Sequence, residues 1–190
     1  HELAYERTKD NVPYEFAYLE GELFDDYLHD MSIVQGFARL NRRAIADDIC
    51  KSLKFAELES FSTIHNNIDA ENKILRKGAI SAQNGERMII PLNMRDGCLI
   101  CKGSGNAEWN YSAPHGAGRA YNRADTVNSF TLSQYKKEMN GIFSTSVSRD
   151  TLDECPMAYK NSQTIIDLIA PTAEIIARLT PIYNYKSGAR

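Results

Sequence analysis

The chain has 190 residues, of which 43% are hydrophobic and 25% are charged, and its formal net charge is −3 at pH 7. The composition is that of an ordinary globular protein, and the length fits a single domain over residues 1–190. The small negative charge excludes a global basic field, so a nucleic-acid site has to be a local patch. No apolar run approaches the roughly 20 residues of a membrane span, and no signal peptide is recognised. We therefore expect a cytoplasmic protein without a membrane partner.

One helical pattern dominates the first part of the chain. Apolar residues recur every seven positions from Phe24 to Ile45, which predicts a long amphipathic helix over about residues 21–53. A helix of this length needs a large partner surface to bury its apolar stripe. Ahead of it, Pro13 predicts the first turn of a shorter helix that continues to residue 19.

Residues 61–101 carry a β pattern. We predict strands over residues 61–64, 79–82, 88–92 and 98–101, and a short helical turn over residues 69–75. The Asn84-Gly85 pair separates two apolar runs, which predicts a β-hairpin. His65 then lies at a strand end, where side chains commonly reach into functional sites.

The last third of the chain mixes short helices with strands. We predict helices over residues 133–139, 162–168 and 172–179, and strands over residues 141–147 and 181–185. Neither repeats nor low-complexity tracts interrupt this part. The mixture predicts an α+β fold with mixed or antiparallel sheets, one long helix and C-terminal helices.

Cys98 and Cys101 have the CxxC spacing that zinc and redox sites share. A zinc site needs further ligands, and the sequence has no second CxxC pair. A redox pair normally opens a helix, whereas this pair lies in a predicted strand. We interpret the cysteines as packing residues of a reduced protein. An unrelated metal or redox protein is the alternative to this interpretation.

The stretch around His115 is the strongest candidate for chemistry. Small residues follow the imidazole at Gly116, Ala117 and Gly118, so a phosphate can approach the backbone closely. Arg119 adds a planar, permanently charged fork that suits phosphate oxygens. No P-loop and no GxGxxG motif after a strand is present, which disfavours the common nucleotide folds. The residues alone leave open both an enzyme acting on phosphate esters and a binding domain.

The motifs of the chain resemble those of the RtcB RNA-splicing ligase family. The matching segments follow the family's order along essentially the whole chain: the helix between residues 18 and 42, RKGA at 76–79, NGE to DG at 84–97, SAPHGAGR at 112–119, DECPMAYK at 153–160 and YNYK at 183–186. The resemblance implies an RtcB-like fold and an RNA ligase that joins 3′-phosphate or 2′,3′-cyclic phosphate ends to 5′-hydroxyl ends. It also implies GTP as co-substrate, Mn²⁺ as cofactor and an accessory activator protein among the candidate partners.

The resemblance also implies roles for individual residues. His115 matches the nucleophile that carries GMP as a phosphoramidate, and Arg119 matches the essential arginine of the same motif. His65 matches a histidine that ligates the metal beside the nucleotide. The remaining nucleotide-binding residues implied by the match are Asn66, Pro91, Leu92, Asn93, Met94, Cys98, Gly116, Ala117, Gly118 and Lys186.

The chain departs from the family pattern in several places. Cys98 stands where serine is expected, and Asn122 replaces a frequent serine. An Asp-x-x-Cys segment and two further metal-binding histidines of the family are not found in these residues. We therefore expect the C-terminal half of such a ligase, with sequence missing before His1. The alternative is a truncated, catalytically incomplete module that binds nucleotide or RNA without ligating.

Overall fold

The computed structural model describes residues 1–187. The chain divides into two compact units, one made of His1–Glu59 with Ile68–Ile74, and the other of Ser60–Asn67 with the chain from Leu75 onward. The assignment of the whole chain to one domain stays a prediction. Within residues 1–187, no helix is both long and apolar enough to cross a membrane.

The first unit contains the predicted long helix. Helix α1 spans Glu2–Thr8, a short 3-10 helix spans Tyr14–Phe16, and helix α2 spans Glu22–Leu53. The long helix is thus confirmed. The helix predicted from Pro13 to residue 19 is wrong beyond the 3-10 turn, because the backbone of Ala17 is already extended (φ −59°, ψ 136°).

The apolar stripe of α2 stays at the surface of the first unit. In the described part of the chain, no residue of α2 is buried, and Val34, Ile45 and Ile49 keep 57%, 52% and 50% of their surface exposed. Other apolar residues of the stripe are half-buried, namely Phe24, Leu28, Met31 and Ala38. One polar side chain of the helix also bonds to the backbone of Ile68. The Gln35 side-chain amide donates to the Ile68 carbonyl at 3.1 Å and accepts from the Ile68 N–H at 2.9 Å.

Two three-stranded sheets contain most of the strands. The first has the order β1-β2-β5, with β1 at His65–Asp69, β2 at Ile74–Ser81 and β5 at Ser112–Pro114. The second has the order β3-β4-β7, with β3 at Arg87–Asn93, β4 at Gly97–Gly103 and β7 at Ala173–Leu179. A short parallel pair joins β6 at Phe143–Ser144 to β8 at Tyr183–Asn184. The α+β class with mixed and antiparallel pairing follows the prediction.

In the C-terminal region one predicted helix is a strand, and the strand predicted over residues 181–185 is reduced to β8. The helix predicted over residues 172–179 is wrong, because β7 occupies this segment and pairs antiparallel with β4. Ala173 lies opposite Gly103, and Leu179 lies opposite Cys98. Helix propensity is a weak local preference that pairing with an open sheet edge overrides. Of the predicted C-terminal helices, α5 at Ser162–Leu168 is confirmed.

The predicted meander is divided between the two sheets. The strand predicted over residues 61–64 is wrong, because β1 begins at His65 rather than ending there. The helical turn predicted over residues 69–75 is also wrong: the Asp69 carboxylate accepts from the Asn72 N–H at 3.0 Å and closes a tight turn before β2. A turn forms at Asn84-Gly85, but β2 pairs with β5 and β3 with β4, so the predicted hairpin is wrong.

Short helices and two apolar clusters complete the second unit. Helices α3 at Arg123–Ser129 and α4 at Leu132–Glu138 follow β5, so the helix predicted over residues 133–139 is confirmed within one residue. The strand predicted over residues 141–147 is reduced to β6. The core of the two sheets is formed by Ile80, Ala82, Met88, Ile90, Leu92, Leu99, Cys101, Ala113, Ala117, Ile169 and Ala173. A second cluster contains Met94, Tyr135, Met139, Leu152, Cys155 and Ala158.

Candidate functional site

A cleft of about 1010 Å³ lies in the second unit. It is lined by all the sequence-predicted site residues except Asn66 and Ala117, namely by His65, Pro91, Leu92, Asn93, Met94, Cys98, His115, Gly116, Gly118, Arg119 and Lys186. The fold therefore brings together residues that are up to 121 positions apart in the chain. Arg123, Glu154 and Tyr159 line the same cleft. From the sequence, Arg123 was a candidate cation for phosphate chemistry without an assigned role, whereas Glu154 and Tyr159 were not candidates.

His115 is held where the two sheets meet. Strand β5 pairs with β2 just ahead of it, with Pro114 opposite Ala79. The His115 N–H then points to the Gly78 carbonyl at 3.4 Å, and the Ala117 N–H donates to the Pro91 carbonyl at 3.1 Å. The backbone on either side of the imidazole is thus bonded to β2 in one sheet and to β3 in the other.

A buried arginine braces the strand that leads to His115. Arg76 lies on β2, and only 2% of its surface is exposed. Its Nε donates to the Ser112 hydroxyl at 2.8 Å, and its Nη2 donates to the Tyr111 carbonyl at 3.3 Å. A buried guanidinium needs such partners because an unpaired buried donor is costly. Arg76 therefore fixes β5 against β2 without entering the cleft lining.

The imidazole of His115 is poised as a neutral group. Burial, together with the charge of His65, lowers the pKa of His115 below its ordinary value. The two rings lie 5.4 Å apart between centroids, with planes 66° from parallel. The Nδ1 atom of His115 is buried and has no hydrogen-bond partner among the described residues. A neutral imidazole is the form that can attack an electrophile or ligate a metal.

The small residues after His115 have two different tasks. Ala117 is 3% exposed and packs in the core of the sheets, which anchors the segment. Gly116 lies against the Pro91 carbonyl, so closely that a Cβ at this position would be 2.9 Å from that oxygen. Gly118 has φ +69°, a conformation that favours glycine, and its carbonyl accepts from the Lys160 N–H at 3.0 Å.

Asn66 supports the site from the strand side rather than from the cleft lining. It has a positive φ of 52°, and its Oδ1 accepts a hydrogen bond from the Gly78 N–H at 2.6 Å. Gly78 is the residue whose carbonyl faces the His115 N–H. Asn66 is thus placed to hold Gly78, and through it the backbone of His115.

The segment from Pro91 to Met94 contributes mainly its backbone and apolar surface. Leu92 and Met94 are buried in the two apolar clusters. The Asn93 amide donates to the Asp96 carboxylate at 2.9 Å, and its Oδ1 accepts from the backbone N–H groups of Arg95 and Asp96, each at 2.9 Å. The polar atoms of Asn93 are therefore engaged in the turn between β3 and β4.

Cys98 lies at the start of β4 and is partly exposed in the cleft. Burial raises the pKa of its thiol above the ordinary value. A protonated thiol is a weak hydrogen-bond donor and a poor nucleophile. Cys98 therefore lines the cleft as a small, protonated side chain.

Arg119 is fixed by hydrogen bonds from two of its three guanidinium nitrogens. Its Nε donates to the Tyr121 carbonyl at 3.0 Å, and its Nη2 donates to the Thr126 hydroxyl at 3.1 Å and to the Asp153 carbonyl. The guanidinium carbon lies 5.2 Å from the centre of the Tyr159 ring. Nη1 is buried and has no hydrogen-bond partner among the described residues, and it lies 3.6 Å from the Glu154 carboxylate. Such a guanidinium is prepared to donate to an anion in the cleft.

Glu154 is the negative group of the cleft. The Tyr159 hydroxyl donates to its carboxylate at 2.7 Å, and Lys186 Nζ lies 3.3 Å from it. Burial raises the pKa of Glu154, but the Tyr159 hydrogen bond, the charge of Lys186 and the Arg123 hydrogen bond outweigh it and hold the pKa at about 2. Burial and the bond to Glu154 in turn raise the pKa of Tyr159 to about 12. At neutral pH the carboxylate is charged and the phenol is not.

The sequence did contain a signal for the cleft residues that were not assigned to the site. Glu154 and Tyr159 lie in the segment 153–160, which carries part of the family resemblance, although no role was assigned to them. Arg123, a cation four residues after Arg119, was a candidate for phosphate chemistry but was not assigned to the site. Their convergence on the cleft depends on the packing of the 3-10 helix Arg149–Glu154 against α3, which no local pattern predicts.

The described residues do not form a complete metal site. No group of three or more His, Cys, Asp or Glu side chains in residues 1–187 is arranged to hold a metal ion. The predicted ligand His65 is accompanied by His115, while the nearby carboxylate of Glu154 is engaged with cations and the Tyr159 hydroxyl. Because ligand number sets metal affinity and geometry, this donor set alone does not fit a tightly bound manganese ion.

Comparison with known proteins gives a consistent similarity. The sequence model of one family, described as tRNA-splicing ligase RtcB, matches residues 6–187. The RNA-splicing ligase RtcB of Escherichia coli strain K12 is 30% identical over 187 residues, covering 89% of this chain and 46% of that protein. The tRNA-splicing ligase RtcB of Aeropyrum pernix is 34% identical over 109 residues, covering 52% of this chain and 22% of that protein. The chain spans about half the length of the first of these relatives.

Proposed function

Since the chain belongs to the RtcB family, we propose that it carries the nucleotide-accepting half of an RNA ligase. The proposed enzyme uses GTP to join RNA 3′-phosphate or 2′,3′-cyclic phosphate ends to 5′-hydroxyl ends. Its proposed cofactor is Mn²⁺, its location the cytoplasm, and its partners the two RNA ends and an accessory activator protein. The observation that supports this function best is the buried, unpaired Nδ1 of His115 beside Arg119 in one cleft.

His115 is the proposed nucleophile. A ring nitrogen of the neutral imidazole attacks the α-phosphorus of GTP, the N–P bond forms, and pyrophosphate leaves with the electrons of the broken P–O bond. An oxygen of the RNA 3′-phosphate then attacks the same phosphorus, and the N–P bond breaks. The 5′-hydroxyl finally attacks the phosphorus of the RNA 3′-phosphate, loses its proton and displaces GMP.

The neighbours of His115 stabilise these phosphoryl transfers. Arg119 Nη1 makes no hydrogen bond among the described residues and lies 3.6 Å from Glu154 Oε1. In the proposed reaction it donates to a phosphate oxygen, where a preorganised positive group stabilises developing negative charge. At Gly118 an added Cβ would have the Lys160 side chain as its nearest neighbour, at 3.9 Å, so a phosphate could approach the backbone there. Gly116 instead permits the close contact with the Pro91 carbonyl. Lys186, next to Glu154, is the proposed contact to the guanine base. Mn²⁺ would supply further charge neutralisation, but we derive no step through it because the described donor set does not fit it.

The lack of a complete set of metal ligands among the described residues favours a second function. A module that binds nucleotide or RNA without ligating needs the cleft, Arg119 and Lys186, but it does not need a metal pair. We expect the 190 residues by themselves to bind GTP weakly and to ligate no RNA. The cleft is common to both functions, so formation of the covalent adduct is the step that separates them.

Labelled GTP distinguishes the two functions. Incubation with α-labelled GTP and Mn²⁺ should give an acid-labile protein adduct that is absent from His115→Ala. His29→Ala is the matched control, because His29 is exposed on α2 in the first unit. An adduct that survives His115→Ala would place the nucleophile elsewhere. GTP binding without any adduct would support the non-ligating module.

A further inference from the structure

We propose that Glu154 is a positioning residue that holds Lys186 and Tyr159 in the orientation needed to select the base of a bound nucleotide. The selectivity part rests on the proposed function, in which Lys186 contacts guanine. The positioning part concerns the contacts among the cleft side chains and can be tested without a nucleotide. Neither part requires Glu154 to touch the substrate.

The geometry places Glu154 at the centre of four polar groups. Its side chain is 12% exposed. Oε2 accepts from the Tyr159 hydroxyl at 2.7 Å and lies 3.3 Å from Lys186 Nζ. Oε1 accepts from Arg123 Nη1 at 2.6 Å and lies 3.6 Å from Arg119 Nη1. One carboxylate thus joins α3, the segment after His115 and the C-terminal segment.

This arrangement is suited to positioning rather than to binding phosphate. An ionised carboxylate offers only acceptors, so it repels a phosphate and cannot donate to one. Both oxygens of Glu154 already accept hydrogen bonds from cleft side chains. Its contribution to binding is therefore the orientation of the cations and the phenol around it.

Lys186 depends on Glu154 more than Arg119 does. The Lys186 backbone N–H is held by the Ser146 hydroxyl at 2.8 Å, and the far end of its side chain lies against Glu154. A lysine side chain has a flexible four-carbon stem and loses considerable conformational entropy when it is held in one orientation. Arg119, in contrast, keeps its bonds to Tyr121, Thr126 and the Asp153 carbonyl when Glu154 is neutralised.

This difference predicts a specific phenotype. Neutralising Glu154 should release the Lys186 ammonium and so weaken recognition of the base, while the phosphate partner Arg119 stays in place. We expect the preference for GMP over AMP to fall by about two- to tenfold, the range that corresponds to losing one preorganised side chain. AMP affinity should change less than GMP affinity. A general loss of structure would weaken both nucleotides alike.

The test compares Glu154→Gln with Glu154→Asp, using Glu138→Gln as the matched control. Glu138 also pairs with an arginine, Arg95, but it does not line the cleft. Carbon relaxation at Lys186 Cε in the nucleotide-free chain reports side-chain order, and titrations with GMP and AMP report selectivity. Glu154→Gln should increase Lys186 mobility, Glu154→Asp should restore part of the order because it retains the charge, and Glu138→Gln should match the unmodified chain.

Each outcome decides one of the two ideas. If the order of the Lys186 side chain is unchanged in Glu154→Gln, the positioning role is overturned, regardless of the measured GMP and AMP affinities. If Lys186 is more mobile in Glu154→Gln but the unmodified chain shows no preference for GMP, the positioning role is supported and the proposed guanine contact is rejected. Increased mobility with an unchanged GMP preference rejects the selectivity role of Glu154. Thermal unfolding of each variant shows that the comparison is made between folded proteins.

Discussion

Gly116→Ala should destabilise the second unit by displacing the segment that carries His115. The added Cβ would lie 2.9 Å from the Pro91 carbonyl oxygen, while ordinary contact begins at 3.4 Å. The oxygen is part of the β3 backbone, so it cannot rotate away as the end of a side chain can. The segment or the strand therefore has to retreat by about 0.5 Å, the difference between the two distances.

The magnitude follows from what that retreat breaks. The hydrogen bond from the Ala117 N–H to the Pro91 carbonyl is 3.1 Å long, and a shift of about 0.5 Å stretches it beyond a useful length. Its loss costs about 1 kcal/mol. Overpacking of the neighbouring core adds roughly 1–3 kcal/mol. We expect a loss of roughly 2–4 kcal/mol in the free energy of unfolding.

Denaturant unfolding measures this loss. Trp109, the single tryptophan, lies in the second unit and provides a fluorescence signal for it. Gly36→Ala is the control: it lies inside α2 with no atom within 4 Å of the added Cβ, so far-UV circular dichroism should show a gain of up to about 1 kcal/mol. A Gly116→Ala chain as stable as the unmodified one would refute the steric argument.

Two further predictions concern titration and reactivity. Because the pKa of Glu154 is held at about 2 instead of 4.5, its contacts stabilise the folded state above pH 4.5, and this contribution is lost as the pH falls toward 2. The melting temperature of Glu154→Gln should therefore lie below that of the unmodified chain at pH 7, with a difference that narrows in acid; a difference independent of pH would contradict the charge argument. Cys101 and Cys155 are buried, and burial raises the pKa of the Cys101 thiol to about 11. Alkylation at pH 8 should therefore modify the partly exposed Cys50 first, and mass spectrometry identifies the labelled residue. Early labelling of Cys101 would show that the core opens.

The fold was predictable where the pattern was long or the turn chemistry was specific. The seven-residue repeat of apolar residues predicts the length of α2, because a pattern that continues over many turns is a stronger signal than the propensity of any single residue. A turn also forms at Asn84-Gly85, where Gly85 has φ +80°, although the strands on either side of it do not form the predicted hairpin. The helix predicted over residues 172–179 was wrong, because local helix propensity contributes less free energy than pairing of this segment with β4.

The sequence by itself determined which groups are available to this protein: an imidazole among small residues, an arginine four positions later, and a resemblance that extends along the chain. It did not predict that Gly78 and Pro91, from different sheets, would hold the backbone around His115. Nor did it indicate that Glu154 would gather Tyr159 and Lys186 beside Arg119. These contacts were decided by the tertiary structure, because burial and charge pairing depend on residues that are distant in the chain and meet only when the strands pair.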